Sequence, residues 1–311
     1  MAAISKVYSM KHIFVSIASY RDPECQWTVK DLFAKAKYPD RVFVGVCWQF
    51  IASEDQNCFA IETRAEQVRR VDFDALESKG ACWAKVQAMS LWQGEDYILN
   101  IDSHMRFAQD WDEQMIAMLD SCPSKKAILS TYPAAYTPPN DLNSCTPQLV
   151  VKEFNERSNV LHLRSYKREL SAPKRNAFVA GGFIFAAAEL FQQVPWDPNI
   201  YFYGEEITFA LRAWSHGWDV YTPHLCLIYH YYSRQEAVKH SSDHKQWYEL
   251  AQKSNKRVWH LVGTELFTDL DIDPQFQLGT VRDVNLYQVF SGVNFKTLEI
   301  SSKASNGDVT L

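Results

Sequence analysis

The sequence has no excess of basic residues, no Cys-x-x-Cys pair and no apolar run long enough to cross a bilayer. Lys and Arg total 32 against 37 Asp and Glu, so no basic field exists to hold a nucleic-acid backbone. The longest nearly uninterrupted apolar stretch, 177–188, is shorter than the roughly 20 residues that a transmembrane helix needs. We therefore expect neither nucleic acid as a partner nor a membrane span.

Glycine and proline are also scarce, at 11 and 12 residues in a chain of 311, while hydrophobic residues make up 47%. This balance excludes a disordered or fibrous chain and predicts a compact core. The seven cysteines are scattered and odd in number, which favours reduced thiols in a cytoplasmic compartment over a disulfide framework. The apolar run 13–18 is too short for a signal-peptide core and predicts the first strand instead.

Strand and helix patterns alternate through the first half of the sequence. Apolar runs predict strands and breaker-free stretches predict helices: strands at 12–19, 41–48, 97–101 and 127–132, helices at 24–37, 80–93 and 111–119. Such alternation is typical of an α/β fold with a largely parallel, helix-covered sheet. Ligands in these sheets bind beyond the carboxyl ends of the strands.

The second half is less regular. Segment 133–147 contains several prolines and predicts a loop, and segment 153–174 is polar without periodicity, which predicts a mobile surface region that covers substrate. Apolar density returns at 177–191, and a helix is expected from Glu205 to about Ser215. The last ten or so residues are expected to form a loose tail.

Asp102 and His104 lie two residues apart at the end of a predicted strand, where extended geometry can point both side chains the same way. A carboxylate and an imidazole there could share a cation, or could be a turn-capping Asp beside a surface His. His230 lies in the aromatic run LCLIYHYY and could be a third ligand or a hydrogen-bonded core histidine. Mn²⁺ or Mg²⁺ would accept such ligands together with phosphate oxygens.

Two further motifs have both a structural and a functional interpretation. Glu205 and Glu206 follow Gly204 at a helix start, where carboxylates stabilise the first turn or could act on an acceptor hydroxyl. Gly181 and Gly182, inside an apolar run, allow close approach of either a ligand or another strand. The tryptophans could include platforms for sugar rings, but their spacing singles out none.

Taken together, five segments resemble one family, and they are IFVSIASYRDPEC (13–25), YILNIDSHMRFAQDWD (97–112), STYPAAY (130–136), AGGFIFA (180–186) and FYGEEITFALRAWSHGWDVYTP (202–223). They are similar to the GT-A-type polypeptide α-N-acetylglucosaminyltransferases. That family adds GlcNAc from UDP-GlcNAc to protein hydroxyls, including a hydroxyproline of a cytosolic ubiquitin-ligase adaptor. The resemblance runs from about His12 to Phe295.

The resemblance implies a metal-dependent, retaining glycosyltransferase with a Rossmann-like mixed sheet. Asp102, Ser103 and His104 match the Asp-x-Asp-type motif, in the Asp-x-His form also used by mucin-type GalNAc transferases, and His230 matches the C-terminal metal ligand. The divalent cation, with Mn²⁺ preferred and Mg²⁺ possible, would stabilise the departing UDP. A single catalytic domain would span 1–295, with a nucleotide-binding half to about 110, an acceptor-side half over 111–295 and a tail at 296–311.

The same resemblance implies the nucleotide-sugar-binding residues. These are Ser19, Tyr20, Arg21, Lys85, Asp102, Ser103, Gly181 and Gly182. One departure from the family pattern is Lys85, where relatives usually carry Arg. Lys is a point charge rather than a bidentate fork, so we do not expect an identical phosphate contact.

Several functions stay open at this point. Glu205 and Glu206 are the candidates for catalysis, and the family implies retention by same-face attack rather than inversion with a carboxylate base. The acceptor could be a protein hydroxyl or a glycan, and the donor a different UDP-sugar. A metal-dependent phosphoesterase would need more ligands than Asp102, His104 and His230 provide. A non-catalytic sugar-nucleotide-binding protein is the remaining alternative.

Overall fold

A mixed β-sheet of eight strands forms the centre of the protein. The computed structural model describes residues 10–56, 58, 60, 63–143 and 147–310. In spatial order the strands are β11 (Lys174–Asn176), β13 (Asp219–Thr222), β6 (Ala127–Ser130), β12 (Phe183–Ala187), β4 (Tyr97–Asp102), β1 (Ile13–Tyr20), β2 (Val42–Phe50) and β3 (Val68–Asp74).

The register of this sheet sets the position of the site. β1 pairs in parallel with β2 and β4, so their carboxyl ends meet at one edge. β12 runs antiparallel to β4, with Phe183 opposite Ile101. Because β12 begins where β4 ends, the glycine pair before β12 reaches the residue that closes β4.

A second, four-stranded sheet lies at that edge. Its order is β5 (Met105–Phe107), β14 (Ile228–His230), β7 (Ala134–Thr137) and β8 (Asp141–Leu142). β14 pairs antiparallel with β5, and Met105 is opposite His230. Two hairpins complete the strands: β9 (Pro147–Phe154) with β10 (Leu161–Lys167), and β15 (Val293–Asn294) with β16 (Glu299–Ile300).

Helices cover both faces of the central sheet. They are α1 (Cys25–Lys35), α2 (Ala81–Met89), α3 (Trp111–Asp120), α4 (Glu189–Gln193), α5 (Glu205–Ser215), α6 (His240–Asp243), α7 (Trp247–Val262), α8 (Val284–Ser291) and α9 (Ser302–Asn306). Alternate residues of β1 belong to two separate hydrophobic clusters, Phe14 to one and Ile13 and Val15 to the other. Since neighbouring strand residues point to opposite faces, the sheet is buried on both sides.

Most predicted elements of the first half are present, and helix 80–93 is shorter, ending at Met89. The loop predicted at 133–147 is wrong, because β7 and β8 lie within it, and the irregular segment at 153–174 contains β10. The prediction of a loose tail is also wrong for the described residues. Helix α9 forms there, and the side chain of Gln148 donates a hydrogen bond to the Gly307 carbonyl at 2.5 Å. No helix of the described ranges is long and apolar enough to span a membrane.

Candidate active site

The side chains of Asp102, His104 and His230 converge beyond the carboxyl end of β4. Asp102 ends β4, His104 precedes β5, and the β5–β14 pairing brings His230 alongside. The Nε2 atoms of the two histidines are 3.0 Å apart, and His230 Nε2 is 3.1 Å from Asp102 Oδ2. One ligand atom from each residue lies within 4.8 Å of the others. The three sequence-predicted ligands therefore form one cluster.

Asp22 stabilises this cluster through hydrogen bonds to His104 and Ser103, on the side of the His104 ring away from His230. Its carboxylate accepts hydrogen bonds from His104 Nδ1 at 2.7 Å, from the Ser103 hydroxyl at 2.6 Å and from Arg234 at 3.1 Å. Burial alone would raise the pKa of Asp22, but these donors, His104 foremost, lower it to about 2. Asp22 is therefore an ionised acceptor that holds the His104 ring in place.

The cluster fits a divalent cation. With Nδ1 bonded to Asp22, the hydrogen-bond network assigns an unprotonated Nε2 to His104, facing His230 and Asp102. Burial lowers the pKa of His104 despite the neighbouring carboxylates, so this imidazole is neutral at pH 7. Two imidazole nitrogens and a carboxylate oxygen in such proximity repel unless a proton or cation lies among them. Mixed nitrogen and oxygen ligands suit Mn²⁺.

Asp22→Asn is expected to weaken Mn²⁺ binding by roughly 10- to 100-fold, because the ring of His104 loses its anionic acceptor. Titration of the purified protein with Mn²⁺, followed by electron paramagnetic resonance, measures this affinity. Asp141→Asn, at an exposed site in β8, is the control and should bind like the wild type. Unchanged affinity in Asp22→Asn would contradict the supporting role.

Gly181 and Gly182 approach side chains of the site rather than a neighbouring strand. A Cβ on Gly182 would collide with the Asp102 carboxylate, and one on Gly181 would collide with the carboxylate of Glu205. The backbone of Gly181 is also bonded on both sides: its N–H donates to Glu206 at 2.8 Å, and its carbonyl accepts from Lys85 at 3.0 Å. Only glycines fit between these groups.

The two adjacent carboxylates at the start of α5 have different partners. Glu205 is buried, accepts from Lys85 Nζ at 2.8 Å and lies 2.9 Å from the Cys82 thiol. Glu206 accepts from the hydroxyl of Tyr132 at 2.7 Å. Burial raises the pKa of Glu206 to about 7, against the opposing effect of the Tyr132 hydrogen bond. Near neutral pH, Glu206 can therefore exchange a proton, whereas Glu205 is held in an ion pair.

Glu206→Gln is expected to flatten the dependence of stability on pH. Between about pH 4.5 and pH 7 the folded chain keeps a proton on Glu206 that the unfolded chain has released, so the free energy of unfolding falls as pH rises through this window. Removing the group should stabilise the protein at about pH 8 by up to about 3 kcal/mol. Urea unfolding at a series of pH values tests this, with exposed Glu66→Gln as the control. If the free energy of unfolding of Glu206→Gln depends on pH in the same way as that of the wild type, the prediction is contradicted.

The predicted nucleotide-binding segment lies at the carboxyl end of β1. Ser19 is fully buried there. The hydroxyl of Tyr20 donates to Asp243 at 2.7 Å, and Arg21 bonds to Asp243 at 3.2 Å and Asp55 at 2.9 Å. The side chains of Tyr20 and Arg21 are therefore hydrogen-bonded to the chain's own carboxylates, and their contact with a nucleotide stays a prediction.

Sequence analysis missed Asp22, Tyr132 and Arg234. Asp22 lies two residues after the end of β1, so its place at the shared edge is a usable signal in the sequence. Tyr132 and Arg234 carry no such signal, because their partners Glu206 and Asp22 are 74 and 212 residues away in the sequence.

The mixed sheet, with an Asp-x-His cluster at the end of its central strand, has the GT-A fold. The chain aligns with the crystal structure of GalNAc-T7 with UDP, GalNAc and Mn²⁺ at a TM-score of 0.64 and 12% identity. The alignment covers 90% of this chain and 56% of that one, so the chain spans little more than half the length of GalNAc-T7. S. aureus TarS 1–349 in complex with UDP-GlcNAc aligns at a TM-score of 0.45 and 14% identity, over 84% and 68% of the two chains.

The family follows from the sequence match. The family model "Glycosyltransferase (GlcNAc)" matches residues 12–65 and 59–296, and the chain therefore belongs to this family. No curated protein matches the sequence. The predictions of a GT-A fold and of a glycosyltransferase are confirmed.

Proposed function

We propose that the protein is a divalent-metal-dependent, retaining transferase that moves GlcNAc from UDP-GlcNAc to a protein hydroxyl, on hydroxyproline, Ser or Thr. The observation that carries this proposal is the convergence of Asp102, His104 and His230, with Asp22 behind them. The family match supports GlcNAc as the sugar. The polypeptide acceptor and a cytoplasmic location rest on the resemblance of the sequence motifs.

Asp102, His104 and His230 would hold the cation, with Mn²⁺ preferred over Mg²⁺. The crystal structure of GalNAc-T7 contains UDP and Mn²⁺, which is consistent with this choice. When bound, such an ion supplies positive charge against the diphosphate of the leaving group. Lys85 stays protonated, because Glu205 keeps its pKa raised against the opposing effect of burial.

We assign different roles to the carboxylates. Glu205, paired with Lys85, fixes the position of the Gly181 segment. Glu206, free to exchange its proton near neutral pH, accepts a hydrogen bond from the sugar or the acceptor hydroxyl. In retention, the acceptor oxygen bonds to the anomeric carbon on the face from which UDP departs, and the hydroxyl proton passes to the departing diphosphate.

The test is release of UDP from a panel of UDP-sugars, with Mn²⁺ or with EDTA, in the absence of acceptor. We expect slow hydrolysis that requires metal and is fastest with UDP-GlcNAc. Binding of UDP without turnover of any donor would favour a non-catalytic sugar-nucleotide-binding protein. Release of phosphate from simple phosphoesters, without sugar transfer, would favour a phosphoesterase.

A further inference from the structure

A cavity of about 190 Å³ lies between the β9–β10 hairpin, the segment 201–203 and helix α7. It is separate from the cluster of metal-ligating side chains and contains none of its residues. The volume is below the roughly 300–1,000 Å³ of pockets for drug-sized ligands, so it suits a group the size of one sugar ring. Its lining includes Asn155, His162, Phe202, Tyr203, Trp247 and Asn255.

Aromatic rings dominate this lining and remain accessible. The rings of His162 and Tyr203 stack, with their centres 5.4 Å apart and an interplanar angle of 30°. Phe202 and Tyr203 are 50% and 57% exposed. Exposed aromatic rings that line a concave surface offer flat faces for the C–H groups of a sugar.

The lining contains no Asp, Glu, Lys or Arg. Burial lowers the pKa of His162, against the opposing effect of Glu153, so its imidazole is neutral at pH 7. A site without charge has nothing to pair with a phosphate, a carboxylate or an ammonium group. Its chemistry therefore selects a neutral ligand.

Polar groups in the cavity are available for such a ligand. Among the described residues, the side-chain amide of Asn255 and the hydroxyl of Tyr203 have no hydrogen-bond partner. An amide both donates and accepts, and so matches the alternating donors and acceptors of sugar hydroxyls. Aromatic walls with a small number of polar groups that fix orientation are typical of a ligand-binding pocket.

The part of the cavity lining at 201–203 directly precedes helix α5 in the chain. Tyr203 precedes Glu206 by three residues, so their Cα atoms are at most about 11 Å apart. The Tyr201 carbonyl accepts from the N–H of Ala81, which begins the helix that carries Lys85. Short stretches of backbone therefore connect the cavity lining to the helices that carry Glu206 and Lys85.

We propose that this cavity binds one neutral sugar ring of the acceptor, so that the preferred acceptor is a protein that is already glycosylated. The inference rests on the proposed function for the reaction that follows, but the binding itself requires neither donor nor metal. It narrows the acceptor class from any protein hydroxyl to a free hydroxyl on a protein that already carries a neutral sugar.

The experiment measures equilibrium binding of the methyl glycosides of GlcNAc, galactose and mannose to the whole chain, by saturation-transfer NMR and calorimetry. We expect at least one glycoside to bind, and Tyr203→Ala to weaken it by roughly tenfold through the loss of the stacking face. Tyr203→Phe keeps the ring and should bind like the wild type. The matched control is Tyr248→Ala, because Tyr248 is 50% exposed on α7 but does not line the cavity.

Asn255→Ala should also weaken glycoside binding, because it removes the side-chain amide from the cavity. This second variant tests the proposal if Tyr203→Ala fails to fold. The proposal is overturned if the wild type binds none of the glycosides, if Tyr248→Ala loses binding as much as Tyr203→Ala, or if an unglycosylated Ser/Thr peptide occupies the cavity instead. Because no turnover is needed, glycoside binding without UDP release would refute the proposed function alone. UDP release without glycoside binding would refute this inference alone.

Discussion

Asp102→Ala is expected to reduce Mn²⁺-stimulated release of UDP from UDP-GlcNAc by at least about 10²–10³-fold, the usual cost of removing one group that stabilises developing charge. Asp102 supplies the only carboxylate oxygen among the described side chains that form the cluster with His104 and His230. Its pKa is held below the usual range because the nearby imidazoles, His230 foremost, outweigh the effect of burial. An acid that is ionised at all working pH values is suited to bind a cation.

The measurement is the rate of UDP release across a range of Mn²⁺ concentrations, together with direct Mn²⁺ binding. His230→Ala should lose activity in the same way. The matched control is Asp72→Ala, because Asp72 is an exposed β3 residue whose carboxylate bonds to Arg70. If Asp102→Ala keeps wild-type rates, or if EDTA has no effect on the wild type, the cluster has no role in the reaction.

Lys85→Met should destabilise the protein by about 3–5 kcal/mol, because it leaves the carboxylate of Glu205 buried without a partner. The side chains of the pair are only 6% and 9% exposed, and Nζ lies 2.8 Å from the carboxylate. Nζ also lies 4.4 Å from the centre of the Trp196 ring. The methionine would fill the space of the lysine but could not supply its charge.

Urea unfolding at constant pH measures the loss. The double variant Lys85→Met/Glu205→Gln removes both charges and should recover part of the stability. Lys37→Met is the matched control, because Lys37 forms an ion pair of 2.6 Å with Glu113 at the exposed surface and should change stability little. A small effect in Lys85→Met would mean that solvent reaches Glu205 and that the pair does not fix the start of α5.

Elements with strong local patterns could be predicted from the sequence. Helix α5 begins at Glu205 and ends at Ser215, as expected from the glycine before it and the apolar positions within it. Strand β4 ends at Asp102, as expected from the position of the Asp-x-His pair at the end of a predicted strand. Both depend on residues close together in the chain, where periodicity carries the information.

Features set by distant residues could not be predicted. The strands β7 and β10 have weak patterns of their own and form because they pair with β14 and β9. Lys85 was assigned to the nucleotide, whereas the structure places its ammonium against Glu205, 120 residues away. Whether it also contacts the nucleotide stays a prediction. Such contacts depend on how the sheet brings segments together, and no local signal records them.

The pairing of β5 with β14 has a thermodynamic consequence. It brings His104 next to His230, which is 126 residues away in the chain. In the unfolded chain, bringing the three ligands together would cost the entropy of closing this long loop, so the ion binds the folded protein in preference. An ion that binds only the folded protein therefore stabilises it by an amount that grows with the logarithm of the ion concentration relative to Kd, about 2.7 kcal/mol at a free concentration of 100 times its Kd. The melting temperature should rise with the concentration of any such ion, so that thermal unfolding alone ranks the metals by affinity without a substrate.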